Sequence, residues 1–174
     1  MSTIAKKICL VGDFSVGKTS LIRRFVDRQF SDQYLSTVGV KISKKLIELE
    51  GIKDTEKLKM QLLIWDLEGH TKFKGIVPTH LQGASGAIIV GDVTRLDTIA
   101  RLPEHLKTFL TINPKGFVIF ALNKSDLISE EKLAKISQIE EFDRVIATYS
   151  TSAKTGAFVD EIFEKLASKI IQPE

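Results

Sequence analysis

Ile8-Cys9-Leu10-Val11 is a continuous apolar run, and the period changes directly after it. From Ser20 to Val26 the apolar positions Leu21, Ile22, Phe25 and Val26 recur at helical spacing. The same change of period repeats along the chain. Ala87-Ile88-Ile89-Val90-Gly91 and Phe117-Val118-Ile119-Phe120-Ala121-Leu122 are apolar throughout, as expected for strands buried on both faces. Lys41 to Leu49 roughly alternates polar and apolar, and Leu58 to Asp66 reads as another strand. The polar stretch Glu50 to Lys57 between them reads as a hairpin connection, so this pair is expected to be antiparallel. Val145 to Tyr149 is a shorter strand. Helical patterns fill the gaps at about 18–27, 73–82, 96–112, 130–138 and 156–171. Asn113-Pro114 ends the third, because proline cannot continue a helix and restricts the residue before it. The last carries an apolar stripe, Phe158, Ile162, Phe163, Leu166 and Ile170, suited to packing on a sheet. The alternation predicts an α/β domain with a six-stranded, mostly parallel sheet, one antiparallel strand and about five flanking helices. With no repeat, linker or low-complexity segment, residues 1–174 are expected to form a single domain.

Composition narrows the class. The chain has 174 residues, 43% hydrophobic and 27% charged, enough for one domain with a sizeable core. A formal net charge of +3, with no basic stripe interleaved with aromatics, gives no case for nucleic acid. The single cysteine, Cys9, lies inside the first strand and is expected to be a core filler, compatible with a reducing, cytoplasmic setting. No apolar run approaches the ~18 residues of a membrane span. The first residues lack a signal-peptide apolar region. No prenylatable cysteine follows Ile170-Ile171, and Ser2 stands where myristoylation requires glycine, so no lipid anchor is expected in this chain.

The chemistry concentrates between strands and helices. Gly12-Asp13-Phe14-Ser15-Val16-Gly17-Lys18-Thr19 fits G-x-x-x-x-G-K-[ST], after a strand and before a helix, the context in which this pattern cradles phosphate. Its N–H groups and the following helix N-terminus present partial positive charge. The candidate phosphate contacts are Asp13, Phe14, Ser15, Val16, Gly17, Lys18, Thr19 and Ser20. Lys18 is expected to reach the β- and γ-phosphates, and the Thr19 hydroxyl to ligate Mg²⁺. Trp65-Asp66-Leu67-Glu68-Gly69 closes a strand with D-x-x-G. Asp66 is expected to orient Mg²⁺ through water, and Gly69 to donate its N–H to a γ-phosphate. Asn123-Lys124-Ser125-Asp126 follows another buried strand, at the sheet edge where such folds bind ligands. The Asp126 carboxylate can accept from guanine N1–H and N2–H₂ together, whereas adenine presents a lone pair at N1. A site built on such donors rejects the wrong base by about 10⁴-fold. Ser152-Ala153-Lys154 follows the last strand; the Ala153 N–H suits guanine O6, with the Lys154 stem against the base or ribose.

With these motifs in register, the chain resembles a Ras-superfamily small GTPase, closest to the Rab branch, over essentially its whole length. The resemblance implies the G domain of a P-loop NTPase, a ligand of GTP or GDP with Mg²⁺, and a monomeric signalling protein. It also implies that Phe30 stacks edgewise on guanine, that Tyr34 covers the phosphates, and that Thr37 ligates Mg²⁺ and senses the γ-phosphate. Switch I would span about 30–42 and switch II about 67–82, the two surfaces for effectors and regulators. Gln82-Gly83-Ala84 and Val90-Gly91-Asp92-Val93-Thr94 are similar to further Rab-type segments. The departures are informative. Where Rab proteins read D-T-A-G-Q, this chain has Asp66-Leu67-Glu68-Gly69-His70, so His70 stands for the water-positioning glutamine and joins Lys18 as an expected catalytic residue. Phe14 occupies a loop position that is usually small, and its ring would crowd an incoming arginine finger. Lys41-Ile42 replaces the usual Asp-Phe, and the hairpin before Asp66 is longer than usual. These features point to a divergent or prokaryotic relative.

The leading expectation is a GTP-binding switch with slow hydrolysis to GDP and phosphate. An adaptor that holds nucleotide with negligible hydrolysis is the first rival. A GTPase in which His70 works as in the D-x-x-G-H translation factors is the second. An ATPase or nucleotide kinase would leave the guanine motifs unexplained.

Overall fold

A computed structural model of the chain describes residues 3–31, 39–50, 57–67, 69 and 75–172. The expected strands form one six-stranded sheet: β1 (Thr3–Gly12), β2 (Val40–Glu50), β3 (Lys57–Leu67), β4 (Gly86–Asp92), β5 (Phe117–Asn123) and β6 (Val145–Ser150), in the order β2-β3-β1-β4-β5-β6. β2 and β3 are antiparallel, with Ile42 opposite Trp65 and Glu50 opposite Lys57, and all other pairings are parallel. β1 is longer than its apolar run because its polar start, from Thr3, already pairs with β3 from Lys59.

Strand alternation sends successive β1 side chains to opposite faces, which builds two cores. Ile8 and Leu10 face Leu21, Ile22 and Phe25 of α1 (Lys18–Asp27) and Ile162, Phe163 and Leu166 of α6 (Val159–Ile171). Cys9 and Val11 face Leu102, Leu106 and Phe109 of α4 (Leu102–Ile112). On the first face, Phe25 stacks flat on Phe163 with ring centroids 4.2 Å apart.

Four helices differ from the periodic reading. The single helix expected over 96–112 is two, α3 (Leu96–Ala100) and α4, with the break at Arg101. Pro103 is the cause: it sits in the first turn of α4, where its missing N–H costs nothing, and could not donate to Ile99 in a continuous helix. α5 (Glu130–Ile136) stops short of 138. It starts at Ser129, whose Oγ accepts from the Lys132 N–H, and ends where the Ser137 Oγ donates to the Leu133 carbonyl. α6 begins at Val159 rather than 156, because Gly156 (φ 87°) and Phe158 (φ 56°) are left-handed. Of the stretch expected to be helical at 73–82, α2 (Pro78–Leu81) is helical and 75–77 are not, while residues 73–74 lie outside the described residues. No described helix is long and apolar enough to cross a membrane.

Candidate nucleotide site

Parallel strands put their carboxyl ends at one edge, so the loops after β1, β3, β4, β5 and β6 converge there. They enclose a cleft of 320 Å³ lined by Phe14, Ser15, Gly17, Lys18, Thr19, Ser20, Phe30, Gly69, Asn123, Lys124, Asp126, Ala153 and Lys154, with Ser31, Leu67 and Leu127. Most candidate residues from the sequence are thus in one place. Asp13, Val16, Asp66 and Ser152 stand behind this lining. Tyr34, Thr37 and His70 lie outside the described residues, as do Glu68 and Lys72.

The phosphate loop is held by its carbonyls. Lys18 Nζ donates to the carbonyls of Gly12 (3.1 Å) and Asp13 (2.9 Å). Arg95 Nη2 donates to Phe14 O at 2.7 Å, Lys124 Nζ to Ser15 O at 3.0 Å and Asn123 Nδ2 to Val16 O at 3.0 Å. Five successive carbonyls are therefore capped by side chains. Every described peptide is trans, and a trans peptide points its N–H opposite to its C=O. The N–H groups of residues 15–17 are thereby turned away from Arg95, Lys124 and Asn123.

The glycines matter for packing as much as for phosphate approach. A Cβ on Gly17 would lie 2.2 Å from Nδ2 of Asn123, and one on Gly12 would lie 2.4 Å from Val90 O. A Cβ on Gly69 would meet Phe14 Cα at 2.5 Å and Lys18 Nζ at 2.9 Å. Gly69 thus lies directly against the phosphate loop.

Lys18 is 6% exposed. Burial pulls its amine down to about 8, against the opposing pull of Asp66 and Asp13, while Arg95 pushes the same way as burial. An anion in the cleft would add to the counter-charge of Asp66 and Asp13. Thr19 Oγ1 donates to Asp66 Oδ2 at 2.6 Å. Asp13 is turned elsewhere: its Oδ1 pairs with Arg101 Nε at 3.0 Å and His105 Nε2 at 2.8 Å. Its side chain ties the loop to α4, so only its backbone faces the phosphate side. Asn123 likewise spends its side chain internally, on Val16 and on the Thr151 hydroxyl at 3.1 Å.

On the base side, Ser152 Oγ donates to Asp126 Oδ1 at 2.8 Å and accepts from the Thr155 N–H at 3.1 Å. Arg24 reaches from α1 to the carbonyls of Lys154 (3.2 Å) and Thr155 (3.4 Å). Asp126 keeps acceptor capacity on both oxygens, since a carboxylate offers about four lone-pair sites.

Sequence reasoning missed Asp92 and Arg95 as site residues. Asp92, 1% exposed, accepts from the Thr94 N–H and hydroxyl on Oδ1 and from Arg95 Nε (3.2 Å) and Lys124 Nζ (2.9 Å) on Oδ2. Burial alone would raise its pKa, but the hydrogen bonds from Thr94 and Lys124 outweigh it and hold the carboxyl below its usual range. The only available signal was an acid at the end of an apolar strand, inside Val90-Gly91-Asp92-Val93-Thr94.

A glycine loop between strand and helix, backed by capped carbonyls, with a hydrogen-bonded aspartate across the cleft, defines a P-loop nucleotide-binding domain. The comparisons with known proteins make this specific. A model of the Ras family matches residues 7–172. Ras-related protein Rab-1C of Dictyostelium discoideum is 37% identical over 166 residues, covering 94% of this chain and 80% of that protein. GTP-binding protein ypt5 of Schizosaccharomyces pombe is 33% identical over 171 residues (97% and 79%). Ras-related protein Rab-13 of Canis lupus familiaris is 34% identical over 167 residues (95% and 79%). The chain belongs to the Ras family. It is a Rab-like small GTPase, a GTP-binding switch.

Proposed function

We propose that this GTPase binds GTP or GDP together with Mg²⁺ and reads guanine through Asp126 and Ala153. We further propose that it hydrolyses GTP slowly when alone, acting as a cytoplasmic, monomeric signalling switch of one domain, 1–174. The observation that carries the reading is the Ser152–Asp126 hydrogen bond of 2.8 Å, which orients the carboxylate on the same cleft as the phosphate loop. Ala153 and Lys154 line that cleft beside it.

The residues present fit Mg²⁺. Thr19 and Asp66 offer a hydroxyl and a buried carboxylate 2.6 Å apart, both hard oxygen donors of the kind this ion prefers. Bound there with Thr37, the ion would supply charge neutralisation at the phosphates. The protein's own work is positioning and electrostatic. The loop N–H groups bind and orient the phosphates, Lys18 offsets negative charge developing on them, and the Gly69 N–H holds the γ-phosphate. His70 bears on the attacking water. An imidazole donates or accepts, but does not present both amide functions as glutamine does, so unassisted turnover is expected on the order of 10⁻³ s⁻¹ or below. Switch I, about 30–42, and switch II, about 67–82, are the surfaces ordered by γ-phosphate and read by effectors and regulators.

Purified protein should release GDP or GTP on denaturation. Asp126→Asn should weaken both while improving xanthine nucleotides, which carry an oxygen in place of the N2 amine. ATP competing with GDP at equal concentration would refute the base reading. In single-turnover assays His70→Gln should raise the rate; wild-type turnover near ~1 s⁻¹ without a partner would refute the slow-switch reading.

A further inference from the structure

Arg95 belongs to none of the motifs that define the site, yet it touches the phosphate loop at its most constrained point. Ser15 holds φ at 64°, a left-handed conformation disfavoured for any residue with a side chain. The carbonyls on either side of its Cα are both capped, Phe14 O by Arg95 and Ser15 O by Lys124. Both cations are anchored on the same atom, Oδ2 of Asp92. Asp92 is itself fixed by Thr94, and its backbone N–H by the Thr98 hydroxyl at 2.8 Å. Arg95 spends Nε on Asp92 and Nη2 on Phe14, using the planar fork to span two acceptors.

We propose that Arg95, seated on Asp92, is a positioning residue of this GTPase. By holding the Phe14 carbonyl outward it turns the Ser15 N–H inward, toward the phosphates, and keeps Ser15 left-handed when nucleotide leaves. This rests on the guanine-nucleotide reading above. Through Asp92 the device also joins the loop after β4 to Lys124 of the base-recognition segment. Arg95 is 39% exposed, and when it is removed Lys124 still holds the same oxygen of the buried Asp92, so that carboxylate is not left unpaired. Its removal is therefore expected to be felt in nucleotide binding rather than in folding.

The test measures dissociation of a fluorescent GDP analogue, the ³¹P spectrum of bound GDP and the melting temperature of wild type, Arg95→Ala and Arg95→Lys. Loss of one charge-assisted hydrogen bond predicts about tenfold faster release from Arg95→Ala. The ³¹P resonances should shift, melting of the nucleotide-free protein should change by less than about 2 °C, and Lys should restore part of both binding readouts. Wild-type release and an unchanged ³¹P spectrum in Arg95→Ala would overturn the proposal. So would faster release that tracks a fall in melting temperature and is not rescued by Lys. A wild type that retains no guanine nucleotide would remove the parent reading and this one with it. A wild type that retains it, with an indifferent Arg95→Ala, removes this one alone.

Discussion

Cys9 lies in the middle of β1 and is fully buried among the apolar side chains that face α4. Burial pushes its thiol up to about 12, with Lys7 pulling weakly the other way. The native pKa thus stands above that of the unfolded chain. The contribution to stability is complete below the unfolded value near 9 and is lost as pH rises through the native value. Between them the loss from this one group is about 1.4 kcal/mol per pH unit. Urea unfolding at pH 8 and pH 10.5 should show wild type losing more stability than Cys9→Val, and a thiol reagent at pH 8 should label only the unfolded protein. Equal losses would show that the thiol ionises in the native state. Lys18, Thr19 and Asp126 were legible in the sequence because their motifs are short and their chemistry follows from local spacing. Arg95 and Arg24 were not, because each meets its acceptor across 81 and 130 or 131 residues, and a surface arginine carries no mark of the carbonyl it caps. The side-chain partners of Asp13 were not legible either, because Arg101 and His105 lie at and within a helix whose start the periodicity did not fix.

Element by element, the strands were readable because parallel strands buried on both faces are apolar without interruption, as β4 and β5 are. Helix ends were less readable, because they are set by single residues. Pro103 divides one periodic stretch in two, and the left-handed Phe158 delays α6. The Arg101 break has a use: it is the point from which α4 reaches Asp13. The α1–α6 contact is the seam to test energetically. Phe163 is fully buried and stacks on Phe25, so Phe163→Ala removes both apolar burial and ring stacking. The expected cost is about 3–5 kcal/mol, measured by urea denaturation. A loss under about 1 kcal/mol would mean that α6 repacks freely.

At the scale of the whole molecule, the ligand is expected to be part of the stability. A nucleotide that binds only the folded state at 1,000 times its dissociation constant adds about 4 kcal/mol. Chelating Mg²⁺ with EDTA should therefore speed GDP release and lower the melting temperature, and excess Mg²⁺ with GDP should restore it; a melting temperature indifferent to both would contradict the proposed metal at Thr19 and Asp66. The sheet order carries one more consequence. β1 leaves the ribosome first, yet Ile8 must wait for both Ile64 and Gly86 before its two edges are filled. β2 and β3 are neighbours in sequence and can zip locally, whereas β1 closes long loops on either side. Chains stalled or truncated before β4 will thus display Ile8-Cys9-Leu10-Val11 with an open edge, the strand composition most prone to self-association. Biosynthesis of this protein has its point of greatest exposure before the sheet's central strand is enclosed.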